Sequence, residues 1–171
     1  MKLDELPPPE VMWSGKYVRV IKRGQWEYAS RANDIRAVAV VAEYEGKVVL
    51  VDQPRVPVGG RSVELPAGLI GDEDLNATVE STAVKELEEE TGFTAERIER
   101  LGEFHASPGM LAESFTLVRA HGLRRIGAGG GDEHEDINVH LVARPDIPAF
   151  LERKRAEGFA VDVKLLMFLG F

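Results

Sequence analysis

The sequence predicts an α/β domain, a mixed sheet covered by helices, and three observations carry that prediction. Runs of β-formers come before, between and after the helical segments. One segment, from about Asn76 to Thr91, has apolar residues at helical spacing with a glycine behind it. A small group of β-formers at the N-terminus stands apart from the rest, which adds a β region to the main domain.

In chain order, Pro7, Pro8 and Pro9 mark residues 1–10 as an irregular lead-in. Short β-forming runs from Tyr17 to Ile21 and from Gln25 to Arg31 flank Arg23-Gly24, a hairpin signal. Ile35 to Tyr44 is β-branched and too hydrophobic for an exposed edge, so it reads as a core strand. Glu45-Gly46 turns the chain into a second core strand, Lys47 to Asp52. Pro54, Pro57, Gly59 and Gly60 mark a loop, Ser62 to Leu65 a short strand, and Pro66-Ala67-Gly68 a tight turn.

In the helix, Val79, Ala83 and Leu87 recur at i+4 with Val84 beside them, and Gly92 is a natural stop. Strands follow near Ile98–Ala106, Ser114–His121 and Ile137–Ala143, the last two separated by a glycine-rich stretch, Gly127 to Gly131. The tail from Ala149 reads as one or two helices broken near Gly158. No internal repeat is present. Residues 1–33 read as an N-terminal β annex and 34–171 as the principal domain, a length that buries a real core.

Composition narrows the partners. Hydrophobic residues make up 44% and charged residues 29%, ordinary for a soluble domain. No apolar run approaches the roughly 20 residues that cross a bilayer, and the start lacks a signal-peptide pattern. There is no cysteine, hence no disulfide, thiolate nucleophile or sulfur-built zinc site, which suits a cytoplasmic setting. A formal net charge of −8 argues against nucleic acid as a partner. Such a chain can still take a pyrophosphate if hard cations sit between the two sets of anionic oxygens.

The acids are gathered in Lys85-Glu86-Leu87-Glu88-Glu89-Glu90. At about 100° per residue, Glu86, Glu89 and Glu90 share one helix face. Glu90 lies close to the buried stripe of Val79, Ala83 and Leu87, while Glu88 points toward solvent. Clustered carboxylates repel, and a partly buried one is costly without a cation. Magnesium relieves both, since it binds through a few carboxylates plus substrate phosphate. A solvated acidic helix face is the competing reading of the same run.

The flanking residues add weight to the first reading. The stretch from Gly71 to Phe93 resembles the Nudix box, with Gly71, Glu86, Leu87, Glu89, Glu90, Gly92 and Phe93 at matching positions. Ala77 stands where the box has Glu, and Lys85 where it has Arg. Taking Gly68 as the box glycine instead would bring Asp74 near the missing Glu position. Val51-Asp52-Gln53-Pro54-Arg55 and Glu64-Leu65-Pro66-Ala67-Gly68 look like the ADP-ribose and nucleoside-diphosphate-sugar pyrophosphatase branch. So does Ser107-Pro108-Gly109-Met110-Leu111-Ala112-Glu113.

The resemblance implies a Nudix α/β/α sandwich and a set of roles. Glu86, Glu89, Glu90 and Glu135 would hold two or three Mg²⁺ ions, with Mn²⁺ as a substitute and the Ala67 carbonyl as a further ligand. Glu133 would be the base that takes a proton from the attacking water. Arg55, Glu64 and Glu113 would contact substrate, although Arg55 also reads as a surface residue in a proline-rich loop and Glu113 as a charge at the start of a strand.

The glycines before Asp132 suit a lid that closes over substrate, and a merely disordered acidic loop is the alternative. His134 is not assigned chemistry, and His105, His121 and His140 read as structural. Trp13, Tyr17, Trp26 and Tyr28 crowd the annex; the resemblance implies a homodimer through it, with stacking on a nucleobase as the weaker role.

The expected reaction is magnesium-dependent hydrolysis of a phosphoanhydride in a nucleoside diphosphate derivative such as ADP-ribose or a nucleotide sugar. Three alternatives stay open: hydrolysis of nucleoside di- or triphosphates, a nucleotide sensor without catalysis, and a structural acidic module with no ligand.

Overall fold

The computed structural model describes residues 2–32, 35–71, 74–132 and 134–169. The N-terminal part is a separate antiparallel sheet of β1 (Glu10–Ser14), β2 (Val18–Arg23) and β3 (Trp26–Arg31). The Gly24 turn joins β2 to β3 as the hairpin signal predicts, whereas β1 was not expected behind three prolines. This sheet meets the rest of the chain where Ala29 bridges Leu111 and Arg31 pairs with Glu113.

The principal sheet is built around β4 (Arg36–Tyr44) and β5 (Lys47–Arg55), both nine residues long and fully buried at their centres. Next come β6 (Gly60–Glu64) and β7 (Ala67–Ile70); the latter arises where the sequence suggests only a turn. After helix α1 (Val79–Thr91) lie the short β8 (Phe93–Thr94), β9 (Arg97–His105), β10 (Ser114–His121), the short β11 (Arg124–Arg125) and β12 (Asn138–Ala143). Helix α2 (Ile147–Ala156), the two-residue β13 (Ala160–Val161) and a 3-10 turn over Val163–Phe168 complete the chain. The tail therefore breaks near Gly158 as expected, but its second half is a strand and a 3-10 turn.

Strand order is β13-β6-β5-β4-β10-β9, with β7 also on β4 and β12 also on β5. Two pairings are parallel, β4 with β10 and β6 with β13, and the others antiparallel, so the sheet is mixed.

Alternation along β4 divides the interior into two layers. Val38, Val40 and Ala42 pack with Val79, Ala83 and Leu87 of α1. Ala39 and Val41 pack with Ile147, Phe150 and Leu151 of α2 and with Leu165 and Phe168. The result is the expected α/β/α sandwich. Among the described residues no helix is long and apolar enough to cross a membrane.

Both ends of α1 are closed by local chemistry. Thr78 caps the start: its hydroxyl accepts from the Ser81 N–H at 3.1 Å, and its own N–H donates to the Ser81 hydroxyl at 2.9 Å. Gly92, with φ of 71°, ends it. The helix thus runs from Val79, slightly later than periodicity alone suggests. Its position, with Leu87 fully buried under β4, fixes where the glutamates emerge.

Candidate active site

The acidic face of α1 opens into a cavity of about 370 Å³ between the helix, β5 and the β6–β7 corner. Arg55, Ala67, Glu86, Glu89, Glu90 and Glu135 all line it, so six of the residues singled out by sequence come together. Glu133 lies outside the described residues. Glu113 is elsewhere: it pairs with Arg31 of the N-terminal sheet at 2.6 Å and does not line this cavity.

Each carboxylate is held differently. Glu90 is only 3% exposed, as its place beside the apolar stripe requires, and its Oε2 accepts from the Ala67 N–H at 3.1 Å. Burial pushes its pKa up to about 8; the Ala67 hydrogen bond opposes this, and the charges of Glu86 and Glu135 add to it. Glu86 lies so close to the β7 backbone that a Cβ on Gly68 would overlap its carboxylate. Here a glycine is needed for close approach. Glu89 is exposed and pairs with Lys85 at 3.2 Å. Glu88 is half-buried instead of facing open solvent.

The two departures from the box are accommodated without an unpaired charge. Ala77 is part of the cavity lining, and Lys85, lacking a glutamate at 77, pairs within its own helix to Glu89. Asp74 accepts from the Asn76 N–H at 2.9 Å, a local turn that leads into the helix cap.

Arg55 and Glu64 form one unit. Their strands pair antiparallel, and Arg55 donates from Nε and Nη2 to the two Glu64 oxygens at 2.9 and 2.8 Å. Glu64 is 6% exposed and reaches the cavity through Arg55. Donation to the Glu64 carboxylate raises the Arg55 pKa above its usual value against the effect of burial, and the nearby charges of Glu64 and Glu90 raise it further. A permanent cation thus stands among the carboxylates.

The glycine-rich stretch differs from the lid expected of it. Gly130 and Gly131 donate to the carbonyls of Glu90 and Glu89 at 2.9 and 3.0 Å, and Ile126 and Gly127 donate to the Gly92 carbonyl at 2.8 and 3.0 Å. These bonds satisfy carbonyls that the end of α1 leaves without helical partners. The approach is so close that a Cβ on Gly129 would overlap the Thr91 backbone, and its φ is +72°. The glycines therefore serve contact with the helix terminus, and of the described residues after Gly131, Asp132, His134, Glu135 and Asp136 are exposed. Among these, Glu135 accepts from the Asp132 N–H at 3.2 Å, while Asp132 accepts from the His134 N–H at 2.7 Å.

Whether this set suits a metal can be judged from its chemistry. The facing donors are carboxylate oxygens, hard ligands of the type magnesium takes. A carboxylate whose pKa is raised by burial and by neighbouring acids is a group whose charged form a divalent cation stabilises. Among the described residues, no three acidic or imidazole side chains are grouped tightly enough to ligate one ion as they stand. The residues fit the ion in kind, and Glu89 and Glu135 would exchange their Lys85 and Asp132 contacts for it.

Sequence reasoning missed Gln53 and Asp132, which also line the cavity. Strand alternation would have found Gln53, two residues before Arg55 on β5. It also missed the cluster on the opposite face of β5. There Asp52, fully buried, accepts from Arg61 Nε at 2.6 Å, Asn138 at 2.9 Å, His140 at 2.5 Å and Lys154 at 3.2 Å. Burial would raise the Asp52 pKa, and these four donors together hold it well below the usual carboxylate range. His105 and His121 likewise have structural partners, the Glu113 carbonyl and Glu99.

Residues 33–159 match the NUDIX domain family. The chain is 33% identical over 154 residues to a Bacillus methanolicus protein named methanol dehydrogenase activator, covering 85% of this chain and 82% of that one. It is 45% identical over 120 residues to the ADP-ribose pyrophosphatase of Bacillus subtilis (strain 168), covering 69% and 63%. It is 35% identical over 100 residues to a GDP-mannose pyrophosphatase of Enterobacter sp. (strain 638), covering 54% and 50%. A crystal structure of an ADP compounds hydrolase superposes with a TM-score of 0.67 at 20% identity, over 90% of this chain and 94% of that one, and shares the fold.

Two outcomes follow from this geometry. Gly129→Ala should lower stability by about 1–3 kcal/mol, since it forces a side chain into left-handed backbone pressed on Thr91; urea unfolding within 0.3 kcal/mol (about the additivity error between independent sites) of the parent would contradict it. For Glu90 the folded pKa of about 8 exceeds the ordinary value of 4.5, so its contribution to stability is full below the ordinary value and lost as pH rises through about 8. In EDTA, the parent's thermal midpoint should therefore fall from slightly acid to alkaline pH more steeply than that of Glu90→Gln. Parallel curves would show that Glu90 is ionised throughout.

Proposed function

The chain belongs to the NUDIX domain family, and from that premise we propose that it is a magnesium-dependent hydrolase of a phosphoanhydride bond in a nucleoside diphosphate derivative. The observation that carries the proposal is the meeting of Glu86, Glu89, Glu90 and Glu135 with Arg55 in one cavity. Relatives named for ADP-ribose and GDP-mannose support a substrate in which a sugar is joined to a nucleotide through a pyrophosphate.

The chain's own groups divide the work. Arg55, oriented by Glu64 through Nε and Nη2, offers Nη1 to a phosphate oxygen. Glu86, Glu89, Glu90 and Glu135, with the Ala67 carbonyl, are the proposed magnesium ligands. Bound magnesium, or manganese in its place, would neutralise the pyrophosphate and acidify a water. Glu133 is the proposed base: it takes the proton of the water that attacks phosphorus opposite the leaving phosphate. The products are a nucleoside monophosphate and a phosphorylated remainder.

The N-terminal β sheet supports a homodimer. Trp13, Val18 and Val20, which the strand register puts on one side of that sheet, are each more than a third exposed, an apolar face that a second copy would cover. In such an assembly Glu113, next to that sheet, would be a substrate contact near the interface. A cytoplasmic setting completes the reading, since a cysteine-free chain needs no oxidising compartment.

A panel of nucleotide sugars, ADP-ribose, dinucleotides and nucleoside di- and triphosphates, with products identified by mass, should give a nucleoside monophosphate from a sugar conjugate with magnesium and none in EDTA. Orthophosphate from di- or triphosphates alone would move the substrate class. Protection against heat by nucleotide without any product would make the domain a sensor. Glu133→Gln should slow single turnover by about 10²–10⁴-fold with substrate binding little changed. A parental single-turnover rate would place the base elsewhere.

A further inference from the structure

The segment carrying Glu135 is fastened at both ends. On one side Gly130 and Gly131 are tied to the Glu90 and Glu89 carbonyls. On the other stands Arg61, on β6. Its Nη1 donates to Asp136 Oδ2 at 2.6 Å and its Nη2 to the Asp136 carbonyl at 2.7 Å. The same guanidinium donates from Nε to Asp52 Oδ1 at 2.6 Å and from Nη2 to the Asp52 carbonyl at 3.0 Å. Asp52 in turn is fully buried and held by Asn138, His140 and Lys154. Arg61 thus joins an exposed aspartate to a buried one that is itself bonded to Lys154 of α2.

We infer that Arg61 is a positioning residue for the acidic loop: by clamping Asp136 onto buried Asp52 it fixes the path along which Glu135 enters the cavity. The inference rests on Glu135 acting as a magnesium ligand, as proposed above. The geometry supports it in two ways. Asp136 is the immediate neighbour of Glu135, so a shift of its backbone is passed on directly. Ile137, the next residue, is buried and its N–H donates to the Gly130 carbonyl at 3.4 Å, which closes the neck of the loop. Hydrogen bonds thus hold the chain on both sides of Glu135, at Gly130 and Gly131 and at Asp136 and Ile137. Arg61 bonds both the side chain and the backbone of Asp136, a fork geometry that a lysine cannot reproduce.

The test combines two readouts. Amide hydrogen exchange over residues 131–137 in metal-free protein reports the clamp without any catalysis. The magnesium concentration giving half-maximal hydrolysis reports the placement of Glu135. Arg61→Ala should speed exchange over this segment at least about tenfold and raise the half-saturating magnesium about 10–100-fold, the usual cost of losing support behind a metal ligand. Arg61→Lys should fall between Arg61→Ala and the parent.

If Arg61→Ala fails to fold because Asp52 loses a donor, Arg61→Lys together with Asp136→Ala carries the test: the pair removes the side-chain bond to Asp136 and the guanidinium fork, and keeps a cation beside Asp52. Unchanged exchange overturns the clamp. Faster exchange with an unchanged magnesium requirement overturns the positioning role, as does a loss of thermal stability alone. If the parent hydrolyses nothing in the panel, or Glu135→Gln needs no more magnesium than the parent, the proposed function or the Glu135 assignment fails. The exchange result still judges the clamp in that case.

Discussion

Much of this molecule is arranged around one carboxylate that it has removed from water. Glu90 falls on the same line of α1 as the residues that pack under β4, so the helix cannot bury its apolar stripe without burying this acid as well. Desolvation makes the charged form expensive, and two more acids beside it make it more so. An isolated domain would not keep such a group for stability. The proposed function accounts for it as a site whose electrostatics would be completed from outside, by cations and a pyrophosphate substrate.

The rest of the cavity is a set of devices for holding anions close together. Gly68 gives up its side chain so that Glu86 can lie on the β7 backbone. Arg55 supplies a fixed cation, steered by Glu64 across two paired strands. Lys85 covers Glu89. The glycines from 127 to 131 bring a distant stretch of chain onto the carbonyl end of α1, where four backbone hydrogen bonds tie it down. Caps of this kind convert backbone groups that a helix end leaves unsatisfied into a rigid junction. Here the junction lies directly behind two of the acids.

The opposite face of β5 contributes through its own buried acid. Asp52 and Glu90 show how environment decides protonation: both are buried carboxylates, yet four donors hold one charged while one backbone N–H cannot do so for the other. Asp52 is satisfied within the fold and therefore reads as structure. Through Arg61 it connects the α2 layer to the acidic loop.

By itself the sequence determined the fold class, the order of the main strands, α1 and the face on which Glu86, Glu89 and Glu90 gather. These depend on period and on local punctuation: apolar spacing in α1, β-branched runs in β4 and β5, glycine at position 92. The resemblance, carried by residues at set intervals, named Arg55, Ala67 and Glu135 as well. Only the tertiary structure decided which of these share a cavity, that Glu113 pairs with Arg31 away from it, and that the glycine-rich stretch is a helix cap. It alone joined Asp52 to Arg61 and Asp136, and it alone showed β1 and β7, whose strand character comes from pairing with neighbours. The physical reason is the range of the interactions. Periodicity and turn chemistry act over a few residues, whereas desolvation, ion pairing and hydrogen bonds to helix ends depend on which distant segments the packed layers bring within reach.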